Sequence, residues 1–119
     1  MANHVSRFES VPAAGMQPSD FTPQDAFNGD DQTEMNHFYH RSDDDSILAG
    51  VWQCAPCKEE IDAYAVNELM TVLEGSVTVT PDGESPMVFN PGDTFFIPKG
   101  TRVVWEITET LRKYYMIAE

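Results

Sequence analysis

The sequence predicts an all-β fold, one small β-barrel domain preceded by an N-terminal arm. Three observations carry that expectation. From Met35 onward the chain is a series of short runs rich in Val, Ile, Thr, Phe, Tyr and Trp, broken every eight to twelve residues by Gly, Pro, Asp or Asn, the rhythm of an all-β domain. Its 119 residues hold one domain, well short of the length at which chains divide. The apolar fraction is 41%, a little below the globular average, and it concentrates after Ile47, so the C-terminal two-thirds must supply the core.

Residues 1–34 are read as the arm and 35–119 as the barrel. The arm contains Pro12, Pro18, Pro23, Gly15, Gly29 and the acidic pair Asp30 and Asp31, with no sustained helical or strand period. Residues 19–27 are compatible with one helical turn capped by Ser19, Asp20 or Thr22 and limited by Pro23, with Phe21 and Phe27 as anchors to the barrel. Strands are expected at 35–40, 46–54, 58–65, 67–74, 76–80, 86–90, 94–97, 101–107 and 110–118. Turn signals separate them at Glu74-Gly75, Asp82-Gly83, Pro91-Gly92-Asp93 and Lys99-Gly100. Asp82-Gly83 suits a type I′ hairpin, whose two central residues both need positive φ. Alternation puts Thr101, Val103, Trp105 and Ile107 on an inward face and Arg102, Val104 and Glu106 outward. By the same rule Glu68, Met70 and Val72 share a face, Asp62 goes with Tyr64, and Lys113 goes with Leu111, Tyr115 and Ile117. No internal repeat, low-complexity tract or second domain is evident.

Twenty acidic residues against seven basic ones leave a formal charge of −13. Such a chain repels the phosphates of nucleic acid and the anionic face of a membrane, so neither is expected as a partner. No apolar stretch has the length of a membrane span, and the N-terminus lacks the basic-then-apolar layout of a secretory signal. Cys54 and Cys57 are too few for a disulfide framework and fit a reducing compartment. A cytoplasmic protein is expected.

Two segments then stand out. Glu68-Leu69-Met70-Thr71-Val72-Leu73-Glu74-Gly75 places a glutamate six residues before a glycine, and Gly92-Asp93-Thr94-Phe95-Phe96-Ile97-Pro98-Lys99-Gly100 runs glycine, five residues, proline, one residue, glycine. In order and spacing they resemble the two motifs of the cupin superfamily. The match covers roughly residues 46–118 and is similar to the small single-domain cupins grouped with the ureidoglycine aminohydrolase cupin domain. Gly50-Val51-Trp52, Pro91-Gly92-Asp93, Pro98-Lys99-Gly100-Thr101, Trp105-Glu106-Ile107-Thr108-Glu109 and Arg112-Lys113-Tyr114-Tyr115 carry the finer likeness. The resemblance implies a single cupin, an RmlC-like jelly-roll barrel. Metal-binding cupins carry a His-x-His pair before the glutamate and a further histidine after the second motif. Those positions fall on Asp62, Tyr64 and Val103, and only Glu68 survives of the four usual ligands. No cofactor is therefore expected; a divalent metal, if present, would have the oxygen-only set Glu68, Asp62 and Tyr64.

Read singly, Glu68 aims into the barrel among Met70, Val72, Val103 and Trp105, where burial suits it to acid or base work, or where it pairs with Lys113 or a hydroxyl for structure alone. Lys113 either enters the barrel to meet Glu68 or Asp62 or stays a solvated edge lysine. Trp52 and Trp105 are core residues or pocket walls. Trp105 with Tyr64 would stack on a flat ligand, with Tyr115 a weaker candidate on the Lys113 face. Cys54-Ala55-Pro56-Cys57 is read first as two plain thiols at a strand end. A zinc site with His37 and His40 puts those histidines on opposite sides of a strand, and a redox pair lacks the helix that usually follows it. No serine or cysteine triad and no phosphate loop is present.

Two functional readings follow. One is a metal-independent enzyme whose barrel holds a small polar metabolite, with Glu68 as acid or base, Lys113 as electrostatic partner, and Asp62, Tyr64, Trp105, Tyr115 and Trp52 binding substrate. The resemblance suggests a ureido or amino-acid-like compound. The other is a non-catalytic, metabolite-binding or regulatory cupin. Either is expected to be a homodimer, paired by a sheet face or by exchange of the strand Met35–His40.

Overall fold

Eight strands and one 3₁₀ turn organise residues 4–119, the part of the chain described by this computed structural model. They are β1 (Gln17–Pro18), the turn Gln24–Ala26, β2 (Glu34–Arg41), β3 (Ile47–Cys54), β4 (Cys57–Ile61), β5 (Asn67–Pro81), β6 (Met87–Phe89), β7 (Thr94–Ile97) and β8 (Val103–Ala118). Every pairing is antiparallel. Two long strands, β5 and β8, run side by side through the whole fold and bend between its two layers. The first half of β5 and the second half of β8 join β1, β2, β3 and β7 in one layer. The other halves join β4 and β6 in the second. This is the expected all-β jelly roll.

The bend explains where the strand expectations differ from the structure. Glu74-Gly75 reads as a turn between strands 67–74 and 76–80, yet the chain passes through it within β5. Gly75 sits at φ +80°, and a Cβ there would lie 2.0 Å from the Thr110 carbonyl oxygen of β8. Glycine is needed because the two backbones touch at the corner, where the register slips three times between Val72 and Val77. The expected strands 101–107 and 110–118 likewise fuse into β8. At Asp82-Gly83 only Gly83 takes a positive φ, 74°, and Glu84 N–H donates to Pro81 O at 3.0 Å. The turn is therefore not type I′, because Asp82 stays in the ordinary region and a longer loop leads to β6.

Alternation places the core correctly over most of its length. Val103, Trp105 and Ile107 are buried, as are Met70 and Val72 beside Glu68, and Leu111 and Tyr115 beside Lys113. Each fully buried aliphatic side chain of this kind contributes roughly 1.5–3 kcal/mol through removal from water. The arm is more ordered than its composition suggests. β1 pairs with β2 at Gln17↔Asn36 and Pro18↔Met35, and Phe8 stacks on Tyr39 with ring centroids 4.6 Å apart. The 3₁₀ turn at Gln24–Ala26 has Pro23 at its N-cap, with no side-chain cap bond. Phe27 packs against the core, whereas Phe21 is exposed. β2 pairs with β3 of its own chain.

Candidate functional site

Alternation on β3, β5 and β8 sends Trp52, Glu68, Trp105, Lys113 and Tyr115 into the interior, where they line a cavity of about 570 Å³. Lys113 Nζ lies 2.8 Å from Glu68 Oε2, with the two side chains only 5% and 7% exposed. Tyr64 OH donates to the other oxygen, Glu68 Oε1, at 2.6 Å. The ammonium also approaches Met70 Sδ at 2.9 Å and lies over two indole rings, 4.7 Å from the Trp52 centroid and 4.9 Å from that of Trp105. Two aromatic faces and one carboxylate thus compensate the desolvated cation. Tyr64 belongs to the loop after β4, and its backbone is pinned to the turn of the second motif. Its N–H donates to Thr101 O and its carbonyl accepts from Gly100 N–H, both at 2.8 Å. Burial, then the Glu68 charge, raises the Tyr64 phenol well above its ordinary range, so it remains a hydrogen-bond donor.

On the neighbouring wall, Tyr115 OH donates to Asn36 Oδ1 at 2.6 Å. Gly50 faces Tyr115 across the β3–β8 ladder, and a Cβ at Gly50 would stand 3.0 Å from the phenol oxygen and 2.0 Å from the His37 carbonyl oxygen. Only glycine lets β2 and the ring close in together. Burial, foremost, raises the Tyr115 phenol as well.

Sequence reasoning placed Asp62 in this site, and the structure places it outside. β4 ends at Ile61, so the alternation linking Asp62 to Tyr64 stops one residue short. The Asp62 side chain is 89% exposed and pairs with Arg102 Nη1 at 2.6 Å on the surface. The oxygen-only metal set Glu68, Asp62 and Tyr64 is therefore not assembled, and Val103 is buried in the core. The donor chemistry does not fit a divalent cation either. Lys113 already sets a positive charge against one Glu68 oxygen, and the Tyr64 hydroxyl donates to the other. Among the described residues no three His, Cys, Asp or Glu side chains gather as metal ligands. Trp105 packs with Trp52, at 6.4 Å and 61°, and with Phe95, at 6.5 Å and 38°, and both it and Tyr64 line the cavity.

Three contributors escaped the sequence reading. Glu34, at the arm–barrel junction, is buried and accepts from Ser19 Oγ, Phe21 N–H at 3.0 Å, Thr22 N–H at 2.7 Å and Trp52 Nε1 at 3.0 Å. Burial alone would raise its carboxyl, but the bonds from Ser19, Trp52, Thr22 and Phe21 outweigh it and hold the group below its ordinary 4.5. That clamp brings Phe21 and Thr22 of the arm to the cavity wall. Asn36 shares the β2 face of Glu34, a signal that period-2 reading of the strand would have found. Glu59, between Cys57 and Ile61 on β4, also lines the cavity.

Cys54 and Cys57 are free, wholly buried thiols facing each other across the β3–β4 turn. The hydrogen bond from Cys54 lowers the Cys57 thiol, while the same bond and burial push Cys54 strongly up. Thr22 Oγ1 lies 3.6 Å from Cys54 Sγ. His37 and His40 do not join them.

Residues 41–115 match the family described as the EutQ-like cupin domain. Among solved structures the chain is similar to a protein of unknown function from Pseudomonas syringae pv. tomato, with 22% identity and a TM-score of 0.82, over 93% of this chain and 46% of that one. The chain thus spans about half the length of the Pseudomonas protein. It is similar also to the EutQ protein of Clostridium difficile, with 17% identity and a TM-score of 0.60, over 73% of this chain and 68% of that one. A protein of unknown function from Rhizobium leguminosarum shares 25% identity at a TM-score of 0.61, over 87% of this chain and 98% of that one. No curated protein matches the chain.

Proposed function

This chain belongs to the EutQ-like cupin domain family, and we propose that its barrel binds a small polar metabolite in the cavity walled by Tyr64, Glu68, Trp105, Lys113 and Tyr115. The observation that carries the proposal is the buried Lys113–Glu68–Tyr64 chain opening on a cavity of about 570 Å³. Ligand pockets combine apolar walls with a few convergent polar groups, and Trp52, Trp105, Leu48 and Ile117 supply the apolar part. A ureido or amino-acid-like compound is the ligand class suggested by the resemblance to cupins grouped with the ureidoglycine aminohydrolase domain. In the enzymatic form of the reading, Glu68 exchanges a proton with the substrate, Lys113 holds its charge and Tyr64 orients it.

A non-catalytic binding role is the second reading, and one observation favours it. Both Glu68 oxygens already accept hydrogen bonds from the protein, so a reacting proton has only the remaining lone pair of an oxygen already engaged by Tyr64 or Lys113. Glu68→Gln separates the two readings in a screen of ureido and amino-acid compounds, with N-carbamoylglycine and glycinamide as probes, read by tryptophan fluorescence and by ammonia release. Turnover lost with binding retained supports the enzyme. Binding weakened at least about tenfold, or 1.4 kcal/mol, without turnover in either form supports the binding protein. Absence of binding by every compound to the unsubstituted protein would sink both.

The assembly proposed is a homodimer, supported by exposed Leu69, Phe96 and Met116, which neighbour one another across β7, β5 and β8. Two free thiols support a cytoplasmic place for it. No helix among the described residues is long and apolar enough to cross a membrane.

A further inference from the structure

The cavity holds a second carboxylate that the Lys113–Glu68–Tyr64 chain does not use. Glu59 lies on β4 between Cys57 and Ile61, on the inward-facing side of the strand, while Lys58 and Glu60 point to solvent. Its register partner on β8 is Trp105, the indole that carries the Lys113 ammonium on its face. Glu59 is half-buried and lines the cavity with Tyr64, Trp105 and Lys113.

What distinguishes it from Glu68 is the lack of compensation. Glu68 has a cation on one oxygen and a phenol on the other. Glu34 has four donors. No side chain among the described residues bonds to Glu59, and Lys113, the one cation on the cavity wall, is committed to Glu68. Of the charged groups lining the cavity, Asp45 is paired with Arg41 and Glu119 is exposed, which leaves Glu59 and Glu68 against Lys113 inside, a net negative charge. Burial, with the nearby charges of Asp25 and Glu34, raises the Glu59 carboxyl above its ordinary value, which registers the same lack of a partner.

We propose that Glu59 selects the ligand, and that the ligand class is an organic cation: a protonated amine, amidinium or guanidinium with a flat or apolar body. The cationic nitrogen supplies the charge-assisted hydrogen bond that Glu59 lacks within the protein. The body lies against Trp105 and Tyr64, and anions of the same shape are repelled. This rests on the cavity being the binding site, and within the ureido and amino-acid-like classes it singles out members carrying a positive nitrogen.

The test uses three probes of one shape and three charges, benzamidine, benzamide and benzoate, titrated into the full chain by calorimetry with tryptophan fluorescence as the site report. The expected result is benzamidinium binding at least about tenfold tighter than the other two, a 1.4 kcal/mol preference. Glu59→Gln should remove that preference while benzamide binding persists. Because Glu59→Gln relieves an uncompensated charge, the ligand-free variant should also melt at or above the temperature of the parent, which shows that it folds. If benzamide or benzoate binds as tightly as benzamidine with the tryptophan response intact, or if Glu59→Gln leaves the preference unchanged, the role of Glu59 is overturned while the cavity stands. If none of the three binds or perturbs the tryptophans, the cavity reading fails and the selection by Glu59 fails with it.

Discussion

Lys113 and Glu68 are buried together, and neither charge is affordable without the other. Lys113→Met leaves Glu68 with only Tyr64 and should cost about 3–5 kcal/mol, the usual penalty for stranding a buried charge. Adding Glu68→Leu should restore most of that loss, because a buried pair replaced by apolar groups is often neutral. Urea denaturation of the two variants decides it, and a single substitution costing under about 1 kcal/mol would mean that the pair is solvated. Tyr64 gives a pH signature with a definite sign. Its folded-state acidity is weaker than the ordinary value of 10.0, so its stabilising contribution is full below pH 10 and is lost as the pH rises beyond it. Unfolding free energy should fall more steeply above pH 10 in the parent than in Tyr64→Phe, with Tyr115, Tyr114 and Cys54, all likewise raised, contributing to the slope that remains. Equal slopes would put the Tyr64 hydroxyl in water.

At the scale of elements, the arm is joined to the barrel through one carboxylate. Glu34 takes bonds from Ser19, Phe21 and Thr22 of the arm and from Trp52 of β3, so the arm's position and the indole beneath Lys113 depend on the same group. Glu34→Gln should cost about 1–3 kcal/mol and speed exchange of the Phe21 and Thr22 amides about tenfold, as loss of about 1.4 kcal/mol of protection implies. Its folded-state pKa lies below the ordinary 4.5. The clamp is therefore fully present above that value and weakens as the pH falls through the lower folded value, so acid should loosen the arm in the parent and matter less in the variant. Unchanged amide exchange in Glu34→Gln would show the arm to be held by Phe8, Tyr39 and β1 alone. Composition concealed this. Proline, glycine and acidic residues mark an unstructured segment only when nothing distant satisfies its backbone, and Glu34, close in sequence to the clamped residues, reads as one more acid in a run of them.

For the whole molecule, a formal charge of −13 favours separation of copies, and the apolar strip of Phe96, Leu69 and Met116 opposes it. Light scattering at micromolar concentration should give twice the mass of one chain, increasingly so as salt screens the repulsion. The mass of a single chain under both conditions would remove the homodimer. Loss of dimer in Leu69→Lys with unchanged melting would assign the interface to this face.

The all-β class, the cupin motifs and the inward faces of β5 and β8 were legible in the sequence, because a strand's period of two and its glycine and proline punctuation are local properties of the backbone, whereas the sequence left Lys113 open between meeting Glu68 or Asp62 and staying a solvated edge lysine. Tertiary structure alone decided three things. Glu74-Gly75 became a corner within one strand rather than a turn between two, since the partner backbone at Thr110 comes within reach there. Asp62 went to solvent because β4 ends at Ile61. Glu59 and Glu34, which nothing in the sequence singled out, ended on the cavity wall and beneath the arm. Where a carboxylate finds its partners depends on which distant strands and loops arrive beside it, and alternation within one strand does not encode that.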